Sequence, residues 1–142
     1  MKEIIRILHE GNYSCVIRNG EEIRTFTQRG VADLYDLLKK DASFLKQAFV
    51  ADKVVGKAAA GLMVLGEVKK VYTDVISLPA LKIFEGTGVE VSYRHTVPFI
   101  ENRNKTGWCP LESSCYELQT VEEVFTVVSG FVAKIRSTTP QL

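Results

Sequence analysis

Apolar residues recur at near-helical spacing over residues 2–10, where Ile4, Ile5, Ile7 and Leu8 stand among charged neighbours and Gly11-Asn12 ends the pattern. That spacing predicts a short entry helix. Tyr13 to Arg18 and Glu21 to Phe26 flank Asn19-Gly20, a dipeptide suited to the φ > 0 positions of a type I′ turn, so a β-hairpin is predicted. From Gly30 to Lys40 the apolar Val31, Leu34, Leu37 and Leu38 lie three or four apart with charges between them. This is the pattern of an amphipathic helix.

The middle of the chain alternates strand and helix signals. Ala48 to Asp52 reads as a strand, followed by a helix from about Val55 to Glu67. Lys70 to Ser77 reads as a strand followed by a helix over Pro79 to Glu85, and Val89 to Tyr93 as a further strand. Strands alternating with helices imply crossover connections and mainly parallel pairing. A hairpin feeding such units gives a mixed sheet with helices on both faces. Thr96 to Ser114 carries Pro98, Asn102, Asn104, Gly107 and Pro110 and reads as a long loop or lid. Thr120 to Ile135 places Val121, Val124, Phe125, Val128, Phe131, Val132 and Ile135 on one helical stripe. It opens on a capping box of Thr120 and Glu123.

Composition bounds what such a chain can be. Its 142 residues, 46% hydrophobic and 25% charged, fit one globular domain spanning 1–142 without disulfide or metal staples. A formal net charge of +1 supplies no overall attraction to nucleic acid or to an acidic membrane. No apolar run reaches the ~18 residues of a membrane helix, and Met1 to Ile5 alternates charged and apolar residues instead of forming a signal peptide. A cytoplasmic protein is therefore expected, with Cys15, Cys109 and Cys115 as reduced thiols.

The order hairpin, helix, strand, helix, strand, helix, strand resembles the cytidine deaminase fold, in which the starts of two consecutive helices carry zinc. The resemblance aligns the first zinc signature with Gly56-Lys57-Ala58-Ala59-Ala60 and the second with Ser77-Leu78-Pro79-Ala80-Leu81-Lys82-Ile83. The proline is kept. Lys57 stands near the histidine position, Ala59 near the catalytic glutamate, and Ala80 and Ile83 near the two cysteines. The chain as a whole, including Val-Gly-Lys-Ala-Ala-Ala at 55–60 and Trp-Cys-Pro-Leu-Glu at 108–112, resembles an uncharacterised bacterial deaminase-like family, domain of unknown function 1893. The resemblance implies a three-layer α/β deaminase-like fold with a mixed five-stranded sheet. It also implies self-association, since the resembling deaminases commonly oligomerise, and it carries no established activity.

A zinc site needs several soft or imidazole ligands around one point, and hydrolysis needs a base beside the bound water. Alanine and isoleucine offer neither, so neither metal nor cofactor is expected at these helix starts. Cys109 and Cys115 with His95 upstream form the other metal-capable grouping, without the short C-x-x-C pairing of common zinc sites. Lys57 is the sharpest residue. It follows Gly56 at a helix start beyond the carboxyl end of a strand expected to finish near Asp52, where open α/β sheets place ligands. Free N–H groups and an ammonium there favour an anion, and Ala58 and its small neighbours allow close approach. A solvated first-turn lysine and a covalent nucleophile are the other readings. Ser77 is both a helix cap and, with Pro79, the start of a second helix aimed at the same crevice. Cys109 and Glu112, beside Trp108, belong either to the lid of a pocket or to a turn with packed side chains.

The resulting expectation is a zinc-free domain that binds a nucleotide-like or other phosphate-bearing small molecule through Asp52, Gly56, Lys57, Ala58, Ser77, Pro79, Cys109 and Glu112. A covalent enzyme using Cys109 or Lys57, and a non-catalytic structural or signalling module, are the alternatives. Neither a membrane nor nucleic acid is an expected partner.

Overall fold

The computed structural model describes residues 1–28, 31–102 and 105–138. Helix α1 (Lys2–Glu10) leads into a hairpin of β1 (Cys15–Asn19) and β2 (Glu22–Phe26). Helices α2 (Ala32–Lys40) and α3 (Ala42–Leu45) follow. Then come β3 (Phe49–Val55), α4 (Lys57–Leu65), β4 (Lys70–Ser77), α5 (Leu78–Phe84), β5 (Glu90–Val97), α6 (Pro110–Cys115) and α7 (Val121–Thr138). The five strands form one sheet in the order β2-β1-β3-β4-β5. β1 runs antiparallel to both its neighbours, whereas β3, β4 and β5 are mutually parallel. This is the mixed sheet that the hairpin followed by strand–helix units implies.

The two faces of the sheet are covered very unequally. On one face α1 alone lays Ile4 and Leu8 against Val16, Ala51 and Tyr72. On the other, residues of α2 through α7 converge with Ile17, Val50, Val55, Val71 and Ile76 into the main core. α4 is the centre of that core. Every residue from Lys57 to Met63 is buried, because the helix is enclosed by its neighbours α2, α5, α6 and α7 as well as β3. Small residues permit this: a Cβ added at Gly61 would stand 2.7 Å from Cγ1 of Val124 on α7.

Several boundaries differ from expectation. The hairpin turn is Gly20-Glu21 rather than Asn19-Gly20, because Asn19 still pairs with Glu22. Gly20, at φ +61, is then the first central residue, the glycine position of a type II′ turn. The Asn19 side chain instead donates to the carbonyls of Phe44 and Lys46 at 2.8 and 3.0 Å, tying the hairpin to α3. β3 continues past Asp52 to Val55, because ladder pairing with β4 extends through Val55 and Ile76, so α4 begins two residues later than expected. β5 likewise runs to Val97, four residues beyond Tyr93. The stretch read as a lid contains an isolated bridge between Glu101 and Trp108 and the short α6, with Pro110 in its first turn. The expected helix start at Gly30, and Asn104 of the lid, lie outside the described residues.

Candidate functional site

The register of the parallel strands builds the site. Val55 pairs with Ile76, and the next residue of each strand, Gly56 and Ser77, is the N-cap of α4 and α5 respectively. Two helix starts therefore stand side by side at the carboxyl edge of the sheet, where exposed N–H groups attract negative charge. At each start one of these N–H groups is already bonded to a side chain of the protein itself. In α5 the hydroxyl of fully buried Ser77 accepts from the N–H of Ala80 at 3.2 Å. In α4 the backbone N–H of Lys57 donates to Oε1 of Glu112 at 2.8 Å.

Glu112 is only 2% exposed, and its second oxygen accepts from the N–H of Ile100 at 2.8 Å. One carboxylate thus pins both the lid backbone and α6 to the start of α4. The space left there is small. A Cβ on Gly56 would meet Cγ1 of Ile100 at 3.0 Å and Oε1 of Glu112 at 3.2 Å. Any side chain here would make Ile100 or Glu112 give way, so the lid packs closely on this point.

The Lys57 side chain does not face a crevice. It is buried, and Nζ donates to the carbonyls of Tyr116 and Leu118 at 2.7 and 2.6 Å, at and just beyond the end of α6, where the helix dipole favours a cation. Desolvation by burial lowers its pKa from the ordinary lysine value, against the opposing influence of Cys115 and Glu112. Lys57 is accordingly a buried cap, neither a solvated first-turn lysine nor a free amine. Sequence reasoning named Lys57 and Glu112 separately and missed both their connection and the roles of Ile100, Tyr116 and Leu118. Those three act through backbone atoms, which leave no mark on residue type.

The remaining expected residues are distributed around this point. Ala58 is buried within α4, and Pro79 lies half-buried in the first turn of α5. Asp52 sits inside β3, in register with Cys15 on β1 and Thr73 on β4. Burial pushes its carboxyl group up to about 7, although the N–H groups of Val54 and Lys53 pull the other way. Cys109 is the half-buried N-cap of α6 and donates its own N–H to Ile100 O at 2.8 Å. Cys115 is fully buried, and desolvation pushes its thiol up to about 11. His95 is exposed on β5. Among the described residues no three His, Cys, Asp or Glu side chains converge to hold a metal ion.

Within the lid, Phe99 stacks on Trp108 with ring centroids 4.4 Å apart, and Tyr116 at the end of α6 meets Trp108 edge-on at 4.8 Å. Trp108 and Tyr116, with Ser113, Ser114, Glu117 and Leu118, line a shallow, open groove of about 650 Å³. Among the described residues no helix is long and apolar enough to cross a membrane.

Comparison with known proteins agrees with this architecture. Residues 3–132 match the family described as TM1506, domain of unknown function (DUF1893). A crystal structure of a DUF1893 family protein, TM1506 from Thermotoga maritima, superimposes with a TM-score of 0.84 at 28% sequence identity. The match covers 91% of this chain and 87% of that one. No curated protein matches.

Proposed function

The chain belongs to the DUF1893 family, and from that premise we propose that it is a metal-free, non-catalytic domain of deaminase-like fold whose crevice at the two helix starts is closed by its own lid. The sheet order β2-β1-β3-β4-β5, with β1 antiparallel to its neighbours and α4 and α5 each starting at the end of a central parallel strand, supports the deaminase-like part of this reading. The zinc of that fold does not fit the side chains present. Lys57 holds two carbonyls with its ammonium, while Ala59, Ala80 and Ile83 carry no donor atom.

The observation that carries the reading is the Glu112 carboxylate on the N–H groups of Lys57 and Ile100. It takes up an N–H at the α4 start that would otherwise be open to an anion. A covalent role for Lys57 is disfavoured, because it is buried and its Nζ is committed to two acceptors, which leaves the half-buried Cys109 as the accessible nucleophile of that alternative. A nucleotide-like ligand would have to displace Glu112 and lift the lid.

The test is a titration of the intact protein with inorganic phosphate and with nucleoside monophosphates, followed by amide resonances and by thermal unfolding. The expected outcome is that the Lys57 and Ile100 amides do not move and the unfolding temperature does not change. A ligand at about 100 times its Kd would add about 2.7 kcal/mol of stability. A saturable shift of both amides would overturn the closed reading and assign the crevice to a phosphate-bearing ligand. One zinc per chain surviving dialysis against a mild chelator would overturn the metal-free part.

A further inference from the structure

We propose that β5 is a self-association surface, pairing antiparallel with β5 of a second copy about a two-fold axis at Ser92. Among the described residues β5 bonds only to β4, so one whole side of this eight-residue strand presents open backbone groups. Its faces are bare as well: Glu90 and every residue from Ser92 to Thr96 are exposed, including Tyr93 at 45%. A long, flat edge strand is normally blunted by lysine, proline, a bulge or a covering element. β5 contains neither lysine nor proline, and its exposed charges are Glu90 and Arg94. The opposite edge, β2, is shorter, and its Arg24 lies over the Phe44 ring at 3.8 Å and reaches Asp41 at 3.0 Å. The asymmetry leaves β5 as the more open edge among the described residues.

Charge selects a second copy as the occupant. Alternation along a strand places Glu90, Ser92 and Arg94 on one face. That face is shared with Lys70, which lies 3.4 Å from Glu90, and with the Tyr72 hydroxyl, which interacts with Arg94. In an antiparallel pair centred on Ser92, Glu90 of each copy stands opposite Arg94 of the other, giving two symmetric ion pairs. On the other face the same register sets Val91 opposite Tyr93, a favourable β-branched–aromatic pair. Centring on Arg94 would oppose two arginines, and centring on Glu90 two glutamates. The register centred on Ser92 thus brings opposite charges together on both sides of the axis, and pairing joins two five-stranded sheets into one continuous sheet.

Sedimentation velocity on the full chain reads the association, and circular dichroism monitors folding. Wild type is expected to dimerise. Arg94→Glu and Glu90→Lys, both exposed, should each raise the dimer dissociation constant about tenfold, from two lost cross-strand pairs and the repulsion that replaces them. The double variant E90K/R94E should restore dimerisation by swapping the charges. Directly opposed antiparallel residues have Cα atoms about 4.5 to 5.5 Å apart, within disulfide reach. Ser92→Cys should therefore oxidise to a covalent dimer beyond any wild-type background, while Thr96→Cys, opposite Gly88, should not. A monomeric wild type, singly swapped variants that associate like wild type, a double swap that fails to recover, or equal cross-linking at both cysteine positions would each overturn the proposal.

Discussion

Lys57 and Glu112 cap each other's helices. Lys57, first residue of α4, donates its backbone N–H to the Glu112 carboxylate of α6, and its ammonium takes carbonyls at and just beyond the end of α6. The two charges do not form a direct ion pair within 4 Å among the described contacts; each answers a helix dipole instead. The arrangement uses both ends of a six-residue helix that would be marginal alone, and it turns an anion-attracting helix start into an internal joint.

Removing the carboxylate should therefore damage the fold. Glu112→Ala leaves two N–H groups without an acceptor, one of them buried, at roughly 1 to 3 kcal/mol apiece. A loss of about 2 to 5 kcal/mol is expected in urea unfolding. Glu112→Gln keeps one acceptor oxygen and should fall between this variant and wild type. An Ala variant as stable as wild type would show that the joint contributes nothing.

Thiol reactivity should follow burial. Desolvation raises the pKa of Cys115 to about 11 and that of Cys15 well above its ordinary value, so both stay protonated at neutral pH, where only a thiolate attacks an alkylating agent. Brief iodoacetamide treatment of the folded protein, read by mass spectrometry, should modify the half-buried Cys109 first. Cys15 and Cys115 should react only on unfolding. Rapid native labelling of Cys115 would contradict its enclosed position under the lid.

The elements legible in the sequence were those whose signal is periodic or steric. The Ile4-Leu8 spacing gave α1, and Lys70 to Ser77 was placed with correct ends, as was the Thr120–Glu123 box, whose Glu123 carboxylate accepts from the Thr120 N–H at 3.0 Å. α3 went unseen because Asp41 interrupts the pattern between it and α2. The strand ends at Val55 and Val97 were set by partners on β4, which local sequence does not display. At the site, Gly56, Lys57, Ser77 and Glu112 could be picked out by residue type. That Glu112 closes the start of α4 is a contact across 55 positions, and a buried carboxylate looks in sequence like any surface glutamate.

The close approach of α4 and α7 rests on Gly61. Its added Cβ would fall 2.7 Å from Val124 Cγ1 and 3.1 Å from Val124 Cβ, and Val124 is itself fully buried. Helix propensity alone would favour alanine by about 1 kcal/mol. Overpacking opposes it with about 1 to 3 kcal/mol. Gly61→Ala should lower the thermal midpoint, and pairing it with Val124→Ala should recover part of the loss. Stabilisation by Gly61→Ala would mean that α7 can slide away freely.

Asp52 should give the domain a pH dependence opposite to that of a salt-bridged carboxylate. Its folded pKa of about 7 lies above the ordinary 3.8, chiefly through desolvation. Between those values the folded chain holds a proton that the unfolded chain has released, so the unfolded state binds fewer protons and stability falls as pH rises. The contribution is fully present below about pH 4 and is lost as pH passes about 7. Asp52→Asn removes the ionisation while keeping an oxygen for the Val54 N–H, which lies 3.3 Å from the native carboxylate. The variant should match wild type near pH 4 and exceed it near pH 8 by on the order of 1 kcal/mol, a discounted figure because the residue is only half-buried. Urea unfolding of both proteins across this range measures the difference. A gap that stays constant from acid to mildly alkaline pH would show that the Asp52 carboxyl group titrates near its ordinary value, with water reaching it between β1 and β4.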